Sequence, residues 1–590
     1  MDFKPTVVAL AATVGSFFYH LTIQLMICFK LSKSKKYSLR LYKTLCLFYI
    51  GFLIFAFGCK KDNTVIPADT SLSFTVNDVY NGTLKYTGLN IKPIIKFNLT
   101  EAINSNTLAS GIKLTSASGT SFPLLFSLEN NDKTVVVTPE DNLSSFSDYS
   151  LTVNNSLQSS TGGRLINPVT ISLATGLDDG DKFSRISDEE LLTLVQRQTF
   201  KYFYDFGHPV SGLARERNTS GNTVTSGGSG FGIMALVTGV HRGFITRAEG
   251  LAWMQVIVDF LINKAQRFHG AYPHWLNGNT GAAMAFSAKD NGADLVETSF
   301  LMQGLLTARQ YFSTANDAEA ALRNDITTIY NEVEWDWFRK DNSNALYWHW
   351  SPDYAWDINM PIRGWNECLI TYVLAASSPT HTIPKTVYDN GWANNGAMRN
   401  GNTYYNIQLP LGPNLGGPLF FEHYSFLGLN PIGLTDAYAN YEVQTKAHTL
   451  INYNYCKANP KGFYGYSENC WGLTASDIEN GYTASSPTND RGYIAPTAAL
   501  SSFPYTPTES MQALKFFYYK LGDKIWKEYG FVDAFSLQDK WFANSFLAID
   551  QGPIIVMIEN HRSGLLWDLF MSVPEVKSGL KKLEFTSPNL

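Results

Sequence analysis

The sequence predicts a mainly α protein, an (α/α)6 toroid preceded by a small β-sandwich, and three observations carry that prediction. Beyond about residue 186, apolar residues recur at helical spacing in about twelve stretches over some 400 residues. Long loops follow alternate members of that series, whereas simple bundles use short connections. Between residues 71 and 176 the pattern is instead short β-rich runs separated by Gly, Ser and Asn turns. A chain of 590 residues is too long for one ordinary domain. The organisation read from it is a targeting segment over 1–58, a tether over 59–70, the β-domain over 71–176, a linker over 177–185 and the helical domain over 186–580.

The net charge of −5 is small for this length and argues against a nucleic-acid footprint, which needs a concentrated basic face. At the N-terminus, apolar stretches cover roughly 7–29 and 45–58, and Lys33, Lys35, Lys36, Arg40 and Lys43 precede the second. A basic region, a short apolar core and a small residue before a cysteine make an export signal. Ala56-Phe57-Gly58-Cys59-Lys60-Lys61-Asp62 resembles the lipobox of bacterial lipoproteins, with Phe57 less usual at its place. By that resemblance Cys59 is lipidated, the protein is exported to the periplasm or cell surface, and its only membrane contact is the lipid. Met26 opens a conventional signal by itself, which leaves residues 1–25 surplus. A retained transmembrane helix is the competing reading, and the second stretch is short for a span of about 20 residues.

In the β-domain the runs are Ile94–Phe97, Ile112–Thr115, Lys133–Thr138 and Tyr149–Val153. Their order, together with Pro93, Leu108 and Leu143, resembles the bacterial Ig-like domains of secreted proteins. No catalytic constellation is present, so a spacer is the expectation. Asp178-Asp179-Gly180-Asp181 reads as linker, too short for a 12-residue calcium loop.

The helical domain opens on a capping box, Ser187 to Glu190. Its long loops (207–228, 270–291, 347–365, 395–418 and 459–507) are too rich in Trp and Tyr to be merely disordered. His274, Trp275, Tyr347, Trp348, Trp350, Trp356, Tyr464 and Trp471 lie in them. Flat rings beside Asn, Asp and Arg suit pyranose sugars. For any single ring, a plug under its loop is the better explanation; the clustering carries the inference.

Three segments put acids at the starts of apolar helices. Asp294 and Glu297 are i,i+3 neighbours ahead of Phe300, Leu301 and Leu305. Glu367 follows Arg363-Gly364-Trp365-Asn366 and heads a second helix. Asp550 precedes a third that the sequence starts near Pro553. Glycoside hydrolysis needs one protonated carboxyl and one ionised one. A Glu beside an apolar helix and a Trp has a route to a raised pKa by desolvation, which singles out Glu367 as the acid. Helix capping accounts for each of these acids equally well when taken alone. No HExxH, GxSxG or P-loop pattern occurs, and the ten His residues lack ligand spacing, so neither metal nor cofactor is expected. Cys456 and Cys470 read either as a pair or as two reduced thiols.

These motifs, with residues 199–206, Ser229-Gly230-Phe231-Gly232, His274-Trp275, residues 420–426 and Ile549-Asp550-Gln551-Gly552-Pro553, resemble the bacterial glucoamylase-like family that includes the endo-β-1,2-glucanases of Bacteroidetes. The resemblance implies an (α/α)6 toroid and an inverting hydrolase with a glucan as its partner. It implies catalytic roles among Glu367, Asp550, Asp294 and Glu297, and substrate contacts from His274, Trp275, Trp350, Arg363, Trp365, Glu422, His423 and Tyr424. The family label also admits exo cleavage of α-glucan, and the aromatics alone would serve a non-catalytic glycan-binding lipoprotein.

Overall fold

The computed structural model describes residues 66–178 and 180–590. The export segment and Cys59 lie outside the described residues. Among the described residues no helix is long and apolar enough to cross a membrane.

The N-terminal domain is a β-sandwich. Strands β1 (Leu72–Val76), β2 (Lys85–Leu89), β3 (Ile95–Leu99), β4 (Ile112–Ser116), β5 (Ser121–Phe122), β6 (Leu124–Glu129), β7 (Thr134–Pro139), β8 (Asp148–Val153) and β9 (Val169–Thr175) form two sheets. Their orders are β1-β3-β7-β6 and β2-β9-β8-β4-β5, antiparallel except where β2 runs alongside β9. Alternation along the strands turns Phe97, Val135, Val137, Leu151, Val153 and Ile171 into a dry interior. The sandwich rests on the helical domain through Phe146, which has a positive φ of 55° and stacks on Tyr464 at 5.9 Å. Asp148 pairs with Lys540 beside it.

In the helical domain the main helices are α1 (Asp188–Phe203), α2 (Ser226–His241), α3 (Arg247–Asn263), α4 (Leu295–Tyr311), α5 (Asp317–Asn331), α6 (Leu369–Ser377), α7 (Tyr441–Ala458), α8 (Pro507–Lys515), α9 (Ala548–Ser563), α10 (Leu565–Met571) and α11 (Pro574–Lys582). The capping box is made: the Ser187 hydroxyl accepts from Glu190 N, and the Glu190 carboxylate accepts from Ser187 N. Helices α2, α4, α6 and α9 are buried on nearly every side, as expected of helices apolar all round. Helix α2 packs on α4 and α9, α4 on α6 and α10, and α6 on α11. Helices α1, α3 and α5 are amphipathic and lie outside them, each with an acid in its first turn.

Glycines let α2 and α4 touch. A Cβ on Gly230 would fall 2.1 Å from the Phe300 carbonyl oxygen, and one on Gly304 2.2 Å from the Gly230 carbonyl oxygen. Backbone occupies both positions, so neither contact relaxes by a rotamer change. Gly230→Ala is expected to cost about 3 kcal/mol through overpacking, read as a lowered melting temperature. An unchanged melting temperature would mean that the two helices separate freely.

Two boundaries differ from the sequence reading. Helix α9 begins at Ala548, so Asp550 lies in its first turn and Pro553 lies inside it. Pro favours the first helical position, which made it look like the start; here it removes one interior bond instead. Glu367 sits in a turn just before α6, whose N-cap is Cys368. Cys368, Cys456 and Cys470 are free and buried.

Candidate active site

The N-terminal ends of α2, α4, α6 and α9 converge on one cleft of about 490 Å³. Each end delivers side chains to it: Thr225 before α2, Glu297 in the first turn of α4, Glu367 before α6, and Leu547 and Ile549 at α9. Helix N-termini carry unbonded N–H groups and a partial positive charge, which favours carboxylates there.

Glu297 is anchored on one side only. Its Oε2 accepts from Gly227 N at 2.8 Å and Thr225 Oγ1 at 3.2 Å, while Oε1 lies 4.0 Å from His274 Nε2. A Cβ at position 227 would sit 2.5 Å from that Oε2, so glycine is required for the approach. Burial pushes the Glu297 carboxyl up and the His274 imidazole pulls it back, leaving it raised overall. Glu367 is in a different environment. Its backbone carbonyl accepts from Ser425 Oγ, but its carboxyl finds no donor except its own backbone N–H. Burial is the main cause that pushes it to about 7, with Glu297 and Asp294 adding repulsion. The two environments differ: two donors favour the ionised form of Glu297, whereas Glu367 has only its own backbone N–H and burial favours its protonated form.

Aromatic faces flank the acids. Trp275 and Phe286 meet edge to face at 4.9 Å, Phe286 lies 4.3 Å from the His274 ring, and Phe286 is 50% exposed. Across the cleft stands Tyr482, on the hairpin of strands Ala475–Ile478 and Gly481–Ala484. The residue is 49% exposed, and Asp550, Asp533 and Asp477 lie near enough to its hydroxyl to add their repulsion to burial in pushing it up. Phe420 and Tyr424 stack at 5.1 Å along the floor. Arg217 lines the same wall, held by Glu216 at 3.0 Å and Asp477 at 3.2 Å. With stacking faces, fixed donors and two carboxyls in different environments, the cleft has the groups that bind a sugar chain and hydrolyse its links.

His274, Asp290 and Asp294 each place one ligand-type atom within 4.8 Å of the others, the spacing of a cation site. Those carboxylate oxygens already accept from imidazole N–H groups, however, and a cation would have to displace the rings.

Residues 359–574 match the family described as "Putative glucoamylase", and residues 63–175 match the "Bacterial Ig-like domain". An endo-β-1,2-glucanase from Chitinophaga pinensis, solved with sophorotriose and glucose, is 53% identical; the match covers 69% of this chain and 100% of that one, with a TM-score of 0.68. The chain belongs to this glucoamylase-like family. A β-1,2-glucanase from Parabacteroides distasonis is 40% identical over 88% of this chain and 74% of its own, with a TM-score of 0.66. The exo β-1,2-glucooligosaccharide sophorohydrolase (non-reducing end) of the same organism is 49% identical over 421 residues. That match covers 68% of this chain and 58% of the sophorohydrolase.

Within this glucoamylase-like domain, Glu297, Glu367, His274, Trp275 and Tyr424 line the cleft. Other residues picked from the sequence do not, and each has a structural reason. Asp294 is fully buried as the N-cap of α4: Oδ1 accepts from Val296 N and Glu297 N, and Oδ2 from His274 Nδ1 and Trp348 Nε1. Asp550 lies beneath the floor, 2% exposed. Asp550 Oδ2 and Asp533 Oδ1 are buried with no donor, and burial together with their mutual repulsion raises both carboxyls, Asp533 to about 7. A single proton shared between them satisfies both oxygens.

Glu422 is wholly buried and accepts from His448 Nδ1, Gln444 Nε2 and Trp365 Nε1, which also takes Trp365 out of the cleft. His423 is buried against Ser502, and burial, with His448 adding repulsion, lowers its imidazole to about 3. Arg363 is exposed and donates to Asn390 O at 3.1 Å. Trp350 packs edge-on to Trp337 at 5.5 Å beneath its loop. Sequence reasoning missed Glu216, Arg217, Phe286 and Tyr482, which stand in loops with no helical period to mark them.

Proposed function

We propose that this protein is a glycoside hydrolase that cleaves β-1,2-glucan within the chain. Glu367 protonates the leaving glycosidic oxygen, and Glu297 accepts a proton from the attacking water. The observation that carries the reading is the carboxylate pair in one aromatic-walled cleft, one acid whose only donor is its own backbone N–H and one with two other donors. The β-1,2 linkage is supported by the substrates named for the relatives from Chitinophaga and Parabacteroides. Water attacking from the face opposite the leaving group inverts the anomeric centre. Four central helices presenting their N-terminal ends to one face support an (α/α)6 toroid as the architecture. The basic, apolar and cysteine pattern ending at Cys59 supports export and lipid anchoring outside the cytoplasm.

Incubation with β-1,2-, β-1,3-, α-1,4- and mixed-linkage glucans tests the function, with product length and anomer as readouts. The expected result is a ladder of β-1,2-oligosaccharides released first as α-anomers. Release of disaccharide alone would reassign the action to exo, and α-1,4 cleavage without β-1,2 cleavage would overturn the substrate.

A further inference from the structure

Behind the cleft, four ionisable groups that the hydrolytic reading does not use form a line ending at Glu297. Asp290 Oδ2 lies 3.1 Å from His349 Nε2, and the same nitrogen lies 3.6 Å from Asp294 Oδ2. Asp294 Oδ2 lies 3.0 Å from His274 Nδ1, and His274 Nε2 lies 4.0 Å from Glu297 Oε1. Acids and imidazoles therefore alternate from the buried Asp290 to the cleft. His349 Nδ1 is buried and has no partner, so its polar contacts all run through Nε2 to the two acids. Burial lowers both rings, but Asp290 and Asp294 outweigh it at His349, and Glu297, Asp294 and Asp290 outweigh it at His274.

The charge on His274 decides the direction of a hydrogen bond. With Nδ1–H donated to Asp294, a neutral ring offers Nε2 as an acceptor; an imidazolium offers it as a donor. A gap of 4.0 Å between Nε2 and Glu297 Oε1 is too long for a direct bond. An oxygen placed there can accept from Nε2–H and donate to Oε1, which is the orientation an attacking water needs.

We propose that Asp290 is a positioning residue of this site: with Asp294, and against the repulsion of the His349 ring between them, it holds His274 as an imidazolium whose Nε2–H orients the water, or a sugar hydroxyl, above Glu297. The mechanism part rests on the hydrolase reading above, while the charge chain does not. The groups facing His274 are Asp294, Glu297, Asp290 and His349. Glu297 is also faced by Glu367 and Tyr424 across the cleft and receives the Thr225 hydroxyl and Gly227 N–H.

The test is a pH titration of the full chain with ¹⁵N-labelled histidine, the His274 signals identified by their loss in His274→Gln. In the unaltered protein both His274 nitrogens are expected to stay protonated until about pH 9. In Asp290→Asn the midpoint is expected to fall by about one unit as one facing carboxylate is removed. The ring stays charged at acidic pH in both proteins, so the acidic limb of kcat/KM, set by Glu297, is not expected to move to higher pH. Asp290→Glu, which keeps the charge, restores the midpoint. A His274 midpoint near the usual imidazole value in the unaltered protein overturns the proposal even if Asp290→Asn does not fold. A folded Asp290→Asn with the midpoint unmoved also overturns it. If no glucan is hydrolysed, the function falls, and the histidine midpoint still decides the chain.

Discussion

Glu367→Gln is expected to reduce kcat on β-1,2-glucan by about 10²–10⁴-fold, the usual contribution of a general acid, with KM changed only slightly. Gln keeps the shape and the neutral charge of the protonated carboxyl but cannot give up a proton. The unaltered enzyme should lose its rate as pH rises above about 7, where the Glu367 carboxyl, raised by burial to about 7, ionises. Stability should move the other way in the variant. A carboxyl whose folded pKa exceeds its unfolded one weakens the fold progressively as pH rises from the unfolded value through the folded one. Glu367→Gln should therefore melt higher than the unaltered protein at pH 8 and alike at pH 4. Full hydrolysis by a folded Glu367→Gln would remove this residue from the chemistry.

Several features are legible in the sequence itself because they follow from local rules. The Ser187 to Glu190 capping box, the 3.6-residue runs of α1 and α4, and the alternating strands around Phe97 and Val135 appear where periodicity puts them. Asp294 and Glu297 share a helix start in sequence and structure alike, yet their environments part by one capping bond. Asp294, at the N-cap, turns inward and spends both oxygens on donors, whereas Glu297, three residues on, keeps one oxygen toward the cleft. That difference depends on Gly227 and His274, which lie far away in sequence. Glu422 and His423 illustrate the opposite limit. Their neighbours are polar and aromatic, as in a sugar site, but their partners His448, Gln444 and Ser502 come from elsewhere in the chain and enclose them. The second wall, with Arg217 and Tyr482, rests on pairings across more than two hundred residues that no window of sequence contains.

Glu297→Gln and Asp550→Asn are expected to separate the two carboxylates that stand as candidates for the base. Glu297 lines the cleft with a free oxygen, so Glu297→Gln should lower kcat by about 10²–10⁴-fold as the water loses its proton acceptor. The amide nitrogen, turned toward Gly227 or toward His274, would in addition meet a donor in either orientation. Asp550 lies under Tyr424 and Tyr482 and its carboxyl is raised by burial and by Asp533, so it is protonated where a base would have to be ionised. Asparagine at 550 can replace the shared proton with an N–H donated to Asp533 Oδ1, an oxygen that has no other donor. Asp550→Asn should thus fold, melt within a few degrees of the unaltered protein and keep kcat within about tenfold. Azide added to Glu297→Ala and Asp550→Ala sharpens the comparison, since a small anion can occupy the space vacated by a cleft-facing carboxylate but not by one beneath the floor. Rescue of Asp550→Ala by azide, with Glu297→Gln fully active, would exchange the two roles and place proton removal under the tyrosines.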